Sequence, residues 1–230
     1  VALFSAAGGV GVSTLSAALA LTAARQDLRP FLVDGQAGPA GVEMLLGDPL
    51  VGNQWSRFAE TRGYLHPDAL RGLPLLEGVR CLGWGGRPDA SNWLAAVPSL
   101  LAAAARDHSI AVVDAGMNAA VCDVLPRATR PCLVVPATWR GVLAAAPRLD
   151  HLAASFDDPP VVVLRDVGGP DDPRSFAAEF AGSPVLVADF DPRVIEDEAR
   201  CRPQGDRRRS AVSRTAHLLL EQVARRQAAA

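Results

Sequence analysis

Ala6-Ala7-Gly8-Gly9-Val10-Gly11-Val12-Ser13-Thr14 lies between the apolar run Val1-Ala2-Leu3-Phe4 and an alanine- and leucine-rich stretch from Thr14 to Arg25. The first flank reads as a buried strand and the second as a helix, so the glycines sit where a strand hands over to a helix N-terminus. A phosphate-binding loop, G-x-x-x-x-G-K-[ST], occupies that place. Its backbone N–H groups cradle phosphates, its lysine reaches the β and γ phosphates, and its hydroxyl holds magnesium. Here Val12 stands at the lysine position, and the whole chain lacks lysine: all 23 basic residues are arginine.

What the loop keeps and what it lacks separate physically. The backbone cradle and the positive end of the helix dipole need no particular side chain, so Gly8, Gly9, Gly11 and the turn after Val12 still attract an anion. Ser13 keeps the hydroxyl. A hydrogen bond involving a charged group contributes about 1.5–3 kcal/mol, so losing the lysine weakens phosphate binding by roughly 10- to 100-fold. Chemistry suffers more, because phosphoryl transfer depends on cations set against charge that develops in the transition state. Taken alone, the loop reads equally well as a glycine-rich turn, and other segments decide between the two.

Phe31-Leu32-Val33-Asp34-Gly35-Gln36 closes an apolar strand on an acid and leads to Gly41-Val42-Glu43-Met44-Leu45-Leu46-Gly47. Ile110-Ala111-Val112-Val113-Asp114 does the same and runs into Ala115-Gly116, and Asp191-Pro192-Arg193-Val194-Ile195 lies near the C-terminus. In order and spacing, these segments resemble the MinD/ParA superfamily of deviant Walker ATPases over nearly the whole chain. That family's loop, K-G-G-x-G-K-[TS]-T, falls on Ala7, Gly8, Gly9, Val10, Gly11, Val12, Ser13 and Thr14, so both of its lysines are absent.

The resemblance implies roles residue by residue. Nucleotide contacts fall on Gly8, Gly9, Val10, Gly11, Val12, Ser13 and Thr14, and on Asp191 and Pro192, whose turn lies beside the family's adenine pocket. Magnesium, if nucleotide binds, falls to Ser13, Asp34 and Asp114. No catalytic residue is expected, because Ala7 and Val12 replace the lysines and Gln36 replaces the acid that helps orient the attacking water. The adenine-reading asparagine is not evident, since Val161-Val162-Val163-Leu164 ends in Arg165-Asp166. Within the superfamily, the chain most resembles the actinobacterial CpaE-like, or septum-site-determining (Ssd-like), branch, whose loops commonly read G-G-x-G-A-S-T.

The fold expected is α/β: a P-loop NTPase-like (SIMIBI class) three-layer sandwich with a mostly parallel sheet of about seven strands. The strands are placed at about 1–5, 30–34, 79–83, 110–114, 131–135, 160–164 and 184–188. Ser91 is read as the N-cap of a helix through Leu94 and Leu101, and Asp172 as another cap. At 230 residues and 49% hydrophobic content the chain suits one domain spanning residues 1–230. Because it begins inside its first strand, an upstream segment is expected.

Other chemistries have little support. The net charge of −2 argues against general nucleic-acid affinity. Cys81, Cys122, Cys132 and Cys201 lack metal-binding spacing and read as buried reduced thiols, and the histidines (His66, His108, His151, His217) fit no catalytic pattern. Glu196-Asp197-Glu198 reads as solvated surface. Trp55, Phe58, Tyr64 and His66 read as core rather than as a partner-facing insertion. The helix with Val212, Ala216, Leu219, Leu220 and Val223 after Arg207-Arg208-Arg209 reads as the fold's last helix, in preference to a membrane-attaching one.

Two functions are expected from these features. The favoured one is a cytoplasmic scaffold that positions division or Tad-type pilus and secretion machinery through protein partners. It requires no cofactor, binds ATP with magnesium weakly if at all, forms a homodimer without ATP if it self-associates, and is peripheral to the inner face of the plasma membrane only in the less favoured reading. The alternative is an active ATP-dependent dimerisation switch in which arginine, Arg140 or Arg165, replaces the lysine.

Overall fold

Alternation along the strands places the core. In the computed structural model, which describes residues 1–38, 41–49, 52–85 and 92–227, successive strand residues point to opposite faces of one sheet. Phe31, Val33, Leu133, Val135, Val162 and Leu164 enter one apolar cluster, while Leu32, Val134 and Val163 enter the other. Both faces are therefore covered, which is why the strands read as near-continuous apolar runs.

The chain runs β1 (Ala2–Ser5), α1 (Val12–Ala24), β2 (Pro30–Asp34), α2 (Asp68–Arg71), β3 (Leu75–Leu76), β4 (Val79–Leu82), α3 (Val97–Asp107), β5 (Ile110–Gly116), α4 (Ala119–Val124), β6 (Pro131–Pro136), α5 (Trp139–Ser155), β7 (Val161–Arg165), β8 (Val185–Ala188), α6 (Arg193–Ala199) and α7 (Ala211–Gln227). The sheet order is β3-β4-β2-β5-β1-β6-β7-β8, parallel except for the β3–β4 pair. Residues from α1 and α7 fill one cluster, and residues from α3, α4 and α5 fill the other, giving the expected three layers.

Among the described residues the sheet has eight strands rather than seven. The additional β3 has only two residues, joined to β4 through Glu77 and Gly78 at φ 49° and 81°. Positive φ at both central positions is the geometry of a tight hairpin whose usual signal is Asn-Gly or Asp-Gly, so glutamate hides it from the sequence.

The expected cap Ser91 lies outside the described residues. The segment it was to cap forms a 3-10 turn, Trp93–Ala96, leading into α3. Asp172 does cap, its carboxylate accepting the Arg174 N–H at 2.9 Å, but the element is a 3-10 helix, Pro173–Phe180.

The aromatic segment divides. Trp55 and Phe58 are buried, with Trp55 stacked on Trp84 at 5.5 Å and edge-on to Trp93 at 4.8 Å, whereas Tyr64 and His66 are exposed. In α7, Val212, Ala216, Leu219, Leu220 and Val223 are buried, as a terminal helix of the fold requires. No described helix is long and apolar enough to cross a membrane. Cys81, Cys122 and Cys132 are buried free thiols, while Cys201 is exposed.

Asp197 corrects the surface reading of its acidic triplet. It is buried and accepts a hydrogen bond from Arg207 at 3.0 Å, because its place on α6 faces the chain that leads into α7.

Candidate functional site

The carboxyl ends of β1, β2 and β5 converge, since β5 pairs with both of the others and Asp34 lies opposite Asp114 in register. Ligands on open parallel sheets bind in such a crevice. From β1 the chain turns through Gly9 (φ 72°) and Gly11 (φ 87°), backbone conformations that a side chain would strain. Gly11 is also the N-cap of α1. It has no side chain to cap the helix, and the first amide to find an intrahelical carbonyl is that of Leu15, at 3.0 Å from Gly11 O. The N-terminal amides of α1 therefore open on the crevice, as in an anion-binding loop.

The crevice is a cleft of about 310 Å³ lined by the loop from Ala7 to Thr14, by Gln36, Met44 and Leu45, and by Gly116, Met117 and Glu198. Among the described lining residues none is basic and one is a carboxylate. Val12, at the lysine position, is 5% exposed and packs in the apolar cluster with Leu15 and Val134. Arg165 lies on the other side of the loop, its guanidinium carbon 4.0 Å from where a Gly11 Cβ would stand. The space between them holds only about 10 Å³, roughly what one water needs. Arg140 is exposed on α5 and does not line the cleft.

The two strand-end acids are buried and engaged by the chain itself. Asp34 accepts the Gln36 N–H at 2.9 Å on one oxygen and the Val42 N–H at 3.2 Å on the other. Burial, and then the neighbouring Asp114, hold its carboxyl well above the usual range. Asp114 accepts from the Gln36 carboxamide at 2.8 Å through Oδ1, and burial pushes its carboxyl up to about 6. The same Gln36 nitrogen donates to Ser13 Oγ at 3.1 Å.

Two residues named in the sequence without a role at the site support it. Glu43 is buried behind Asp34, where its Oε1 accepts the Gly85 N–H at 2.6 Å and burial raises its carboxyl. Trp55 donates its indole N–H to the Asp34 carbonyl at 2.9 Å, so the aromatic segment braces the end of β2. Neither role is legible in a single sequence, because the partners, Gly85 for Glu43 and Asp34 for Trp55, are 42 and 21 residues away.

Asp191 and Pro192 do not line the cleft. Asp191 is buried and seats two helices, accepting the Arg193 N–H at 3.2 Å in α6 and the Ala211 N–H at 2.9 Å at the start of α7.

These positions also test the site for magnesium. Both Asp34 oxygens, one Asp114 oxygen and the Ser13 hydroxyl already hold N–H donors. The remaining carboxylate oxygen, Asp114 Oδ2, is buried and unpartnered among the described residues. Magnesium demands a nearly octahedral shell of oxygens, and the set present does not fit it. Among the described residues no group of three or more His, Cys, Asp or Glu side chains is placed to hold a metal ion.

No protein-family profile matches the sequence, and no curated protein matches it either. Solved structures do match along the whole chain. A ParA family ATPase from Chlorobium tepidum is 17% identical with a TM-score of 0.77, over 96% of this chain and 98% of that one. The septum site-determining protein MinD from Pyrococcus horikoshii, complexed with Mg-ADP, is 18% identical with a TM-score of 0.73, over 96% and 95%. The MinC:MinD cell division complex from Aquifex aeolicus matches at 15% identity and a TM-score of 0.60, over 96% of each chain. At these identities the likeness establishes the fold: this chain has the P-loop α/β architecture of MinD- and ParA-type ATPases.

Proposed function

We propose that this chain is a MinD/ParA-type scaffold of the CpaE-like branch. It acts by binding proteins of a division, septum-placement or Tad-type pilus and secretion apparatus, and ATP hydrolysis stays at background. The observation that carries this reading is the cleft lining, which among the described residues offers no cation to a polyphosphate and adds the Glu198 carboxylate. Among the described lining residues, a triphosphate brought there would meet backbone amides and hydroxyls but no cationic side chain to stabilise the transition state for phosphoryl transfer. The MinC:MinD pair supports a role through protein contact. So do Trp139 and Leu143, 61% and 74% exposed one turn apart at the start of α5.

A nucleotide switch is the second reading, favoured by the retained glycine turn, Ser13 and Asp114 around a cleft large enough for phosphates. Complementation of a deletion strain separates the two. The scaffold predicts full function from folded Val12→Ala, Ser13→Ala and Asp114→Ala proteins. Loss of function in the last two, together with micromolar ATP binding by calorimetry, would establish the switch instead.

A further inference from the structure

We infer that the Gln36 carboxamide is a built-in substitute for a divalent cation, so that the metal position of the cleft is closed by the chain's own side chain. One nitrogen, Nε2, stands 3.1 Å from Ser13 Oγ and 2.8 Å from Asp114 Oδ1. A primary amide has two N–H donors on that nitrogen, and here each meets one of the oxygens between which a loop-bound cation would sit. Asp114 as a carboxylate can only accept, so the nitrogen rather than the oxygen of the amide must face it.

The placement is built from several independent contacts. The Gln36 N–H is fixed by Asp34 Oδ1 at 2.9 Å, and the preceding Gly35 N–H by the Asp114 carbonyl at 2.8 Å, so the backbone that carries the side chain is pinned to β5. Gly116, at φ 50°, clears the space the carboxamide fills, since a Cβ there would collide with the amide. Three elements thus converge to hold one side chain: the first turn of α1, the end of β2 and the end of β5. The arrangement sets an N–H donor group between Ser13 Oγ and Asp114 Oδ1, so a metal could bridge these two oxygens only if Gln36 swings out.

This inference goes beyond the scaffold reading and does not depend on it, because it concerns metal in the absence of nucleotide. The probe is Mn²⁺ alone, followed by electron paramagnetic resonance and by melting temperature. The wild-type protein takes up no Mn²⁺ at this site up to about 10 mM, and its melting temperature is indifferent to the ion. In Gln36→Glu a carboxylate faces Asp114, so Mn²⁺ binds at least about tenfold more tightly and raises the melting temperature by mass action. Gln36→Leu removes the donors without adding a ligand, so it loses stability and gains little metal, which distinguishes filling the space from replacing the cation.

Should the variants fail to fold, the wild-type protein decides. Its Gln36 side-chain amide resonances stay sharp in Mn²⁺, and paramagnetic broadening of those resonances would overturn the inference. Equal Mn²⁺ affinity in wild type and Gln36→Glu would overturn it as well. ATP binding that leaves the Gln36 amide in place would sink the scaffold reading and leave this inference standing.

Discussion

Replacing Asp191 by alanine distinguishes a ligand-binding aspartate from a structural one. The carboxylate is buried and holds two backbone amides, that of Ala211 at 2.9 Å and that of Arg193 at 3.2 Å, at the starts of α7 and α6. Hydrogen bonds to a charged group contribute about 1.5–3 kcal/mol, and loss of a helix cap costs about 0.5–2 kcal/mol. Assigning about 2 kcal/mol to the short bond at Ala211 and about 1 kcal/mol to the longer one at Arg193 gives a loss of about 3 kcal/mol for Asp191→Ala. Asp191→Asn keeps one acceptor and should lose about half of that. Urea unfolding is the assay, with the midpoint falling and the slope unchanged. Hydrogen exchange should quicken first at the start of α7. A cost under about 1 kcal/mol for Asp191→Ala would refute the reasoning.

Three further outcomes follow from buried groups at or beside the cleft. Asp114 is raised from 3.8 to about 6 by burial, so the folded protein keeps a proton that the unfolded chain releases, and stability is present below 3.8 and lost as pH rises through 6. The loss amounts to about 3 kcal/mol, and urea titrations across that window should show it in wild type and much less of it in Asp114→Asn. Trp55→Ala removes a ring packed on Trp84 and Trp93 and the donor to the Asp34 carbonyl, and should cost about 4 kcal/mol in the same assay. Ala7→Lys with Val12→Lys should raise ATP affinity by roughly 10- to 100-fold in calorimetry while phosphate release stays at background; turnover in that double variant would show that the lysines were all the enzyme lacked.

The seven longer strands were legible because valine, isoleucine and leucine runs of about five residues end at acids, prolines or turns, and burial on both faces leaves few polar interruptions to mislead. The eighth was not, since two residues and a Glu-Gly turn carry no periodicity. The loop after β1, Asp34 at the end of β2 and Asp114 near the end of β5 could be placed from local pattern alone. The role of Gln36 could not, because its partners Ser13 and Asp114 are 23 and 78 residues away and meet it only through the β2–β5 pairing. Asp191 was found by its motif but not by its work, which depends on Ala211, 20 residues further on. Asp197 shows the same limit: three consecutive acids on a helix look solvated until the Arg207 that returns to the middle one is known.

The presence of Asp34 and Asp114 is not by itself a sign of a magnesium site, because the contacts give both acids a structural role. A parallel sheet that brings two carboxyl ends together in its interior leaves loop amides in need of acceptors. Asp34 supplies them to Gln36 and Val42, and Glu43 does so for Gly85. Asp114 in turn takes the Gln36 carboxamide. Removing Asp34 strands the buried Val42 N–H, at a cost of about 1–3 kcal/mol that has nothing to do with a ligand, and removing Asp114 or Glu43 leaves a half-buried donor unpaired. The acids are therefore weak evidence for nucleotide chemistry. The absence of a cation among the described residues of the cleft lining is the feature that bears on function, and placing lysines at Ala7 and Val12 is the change to which ATP affinity should respond.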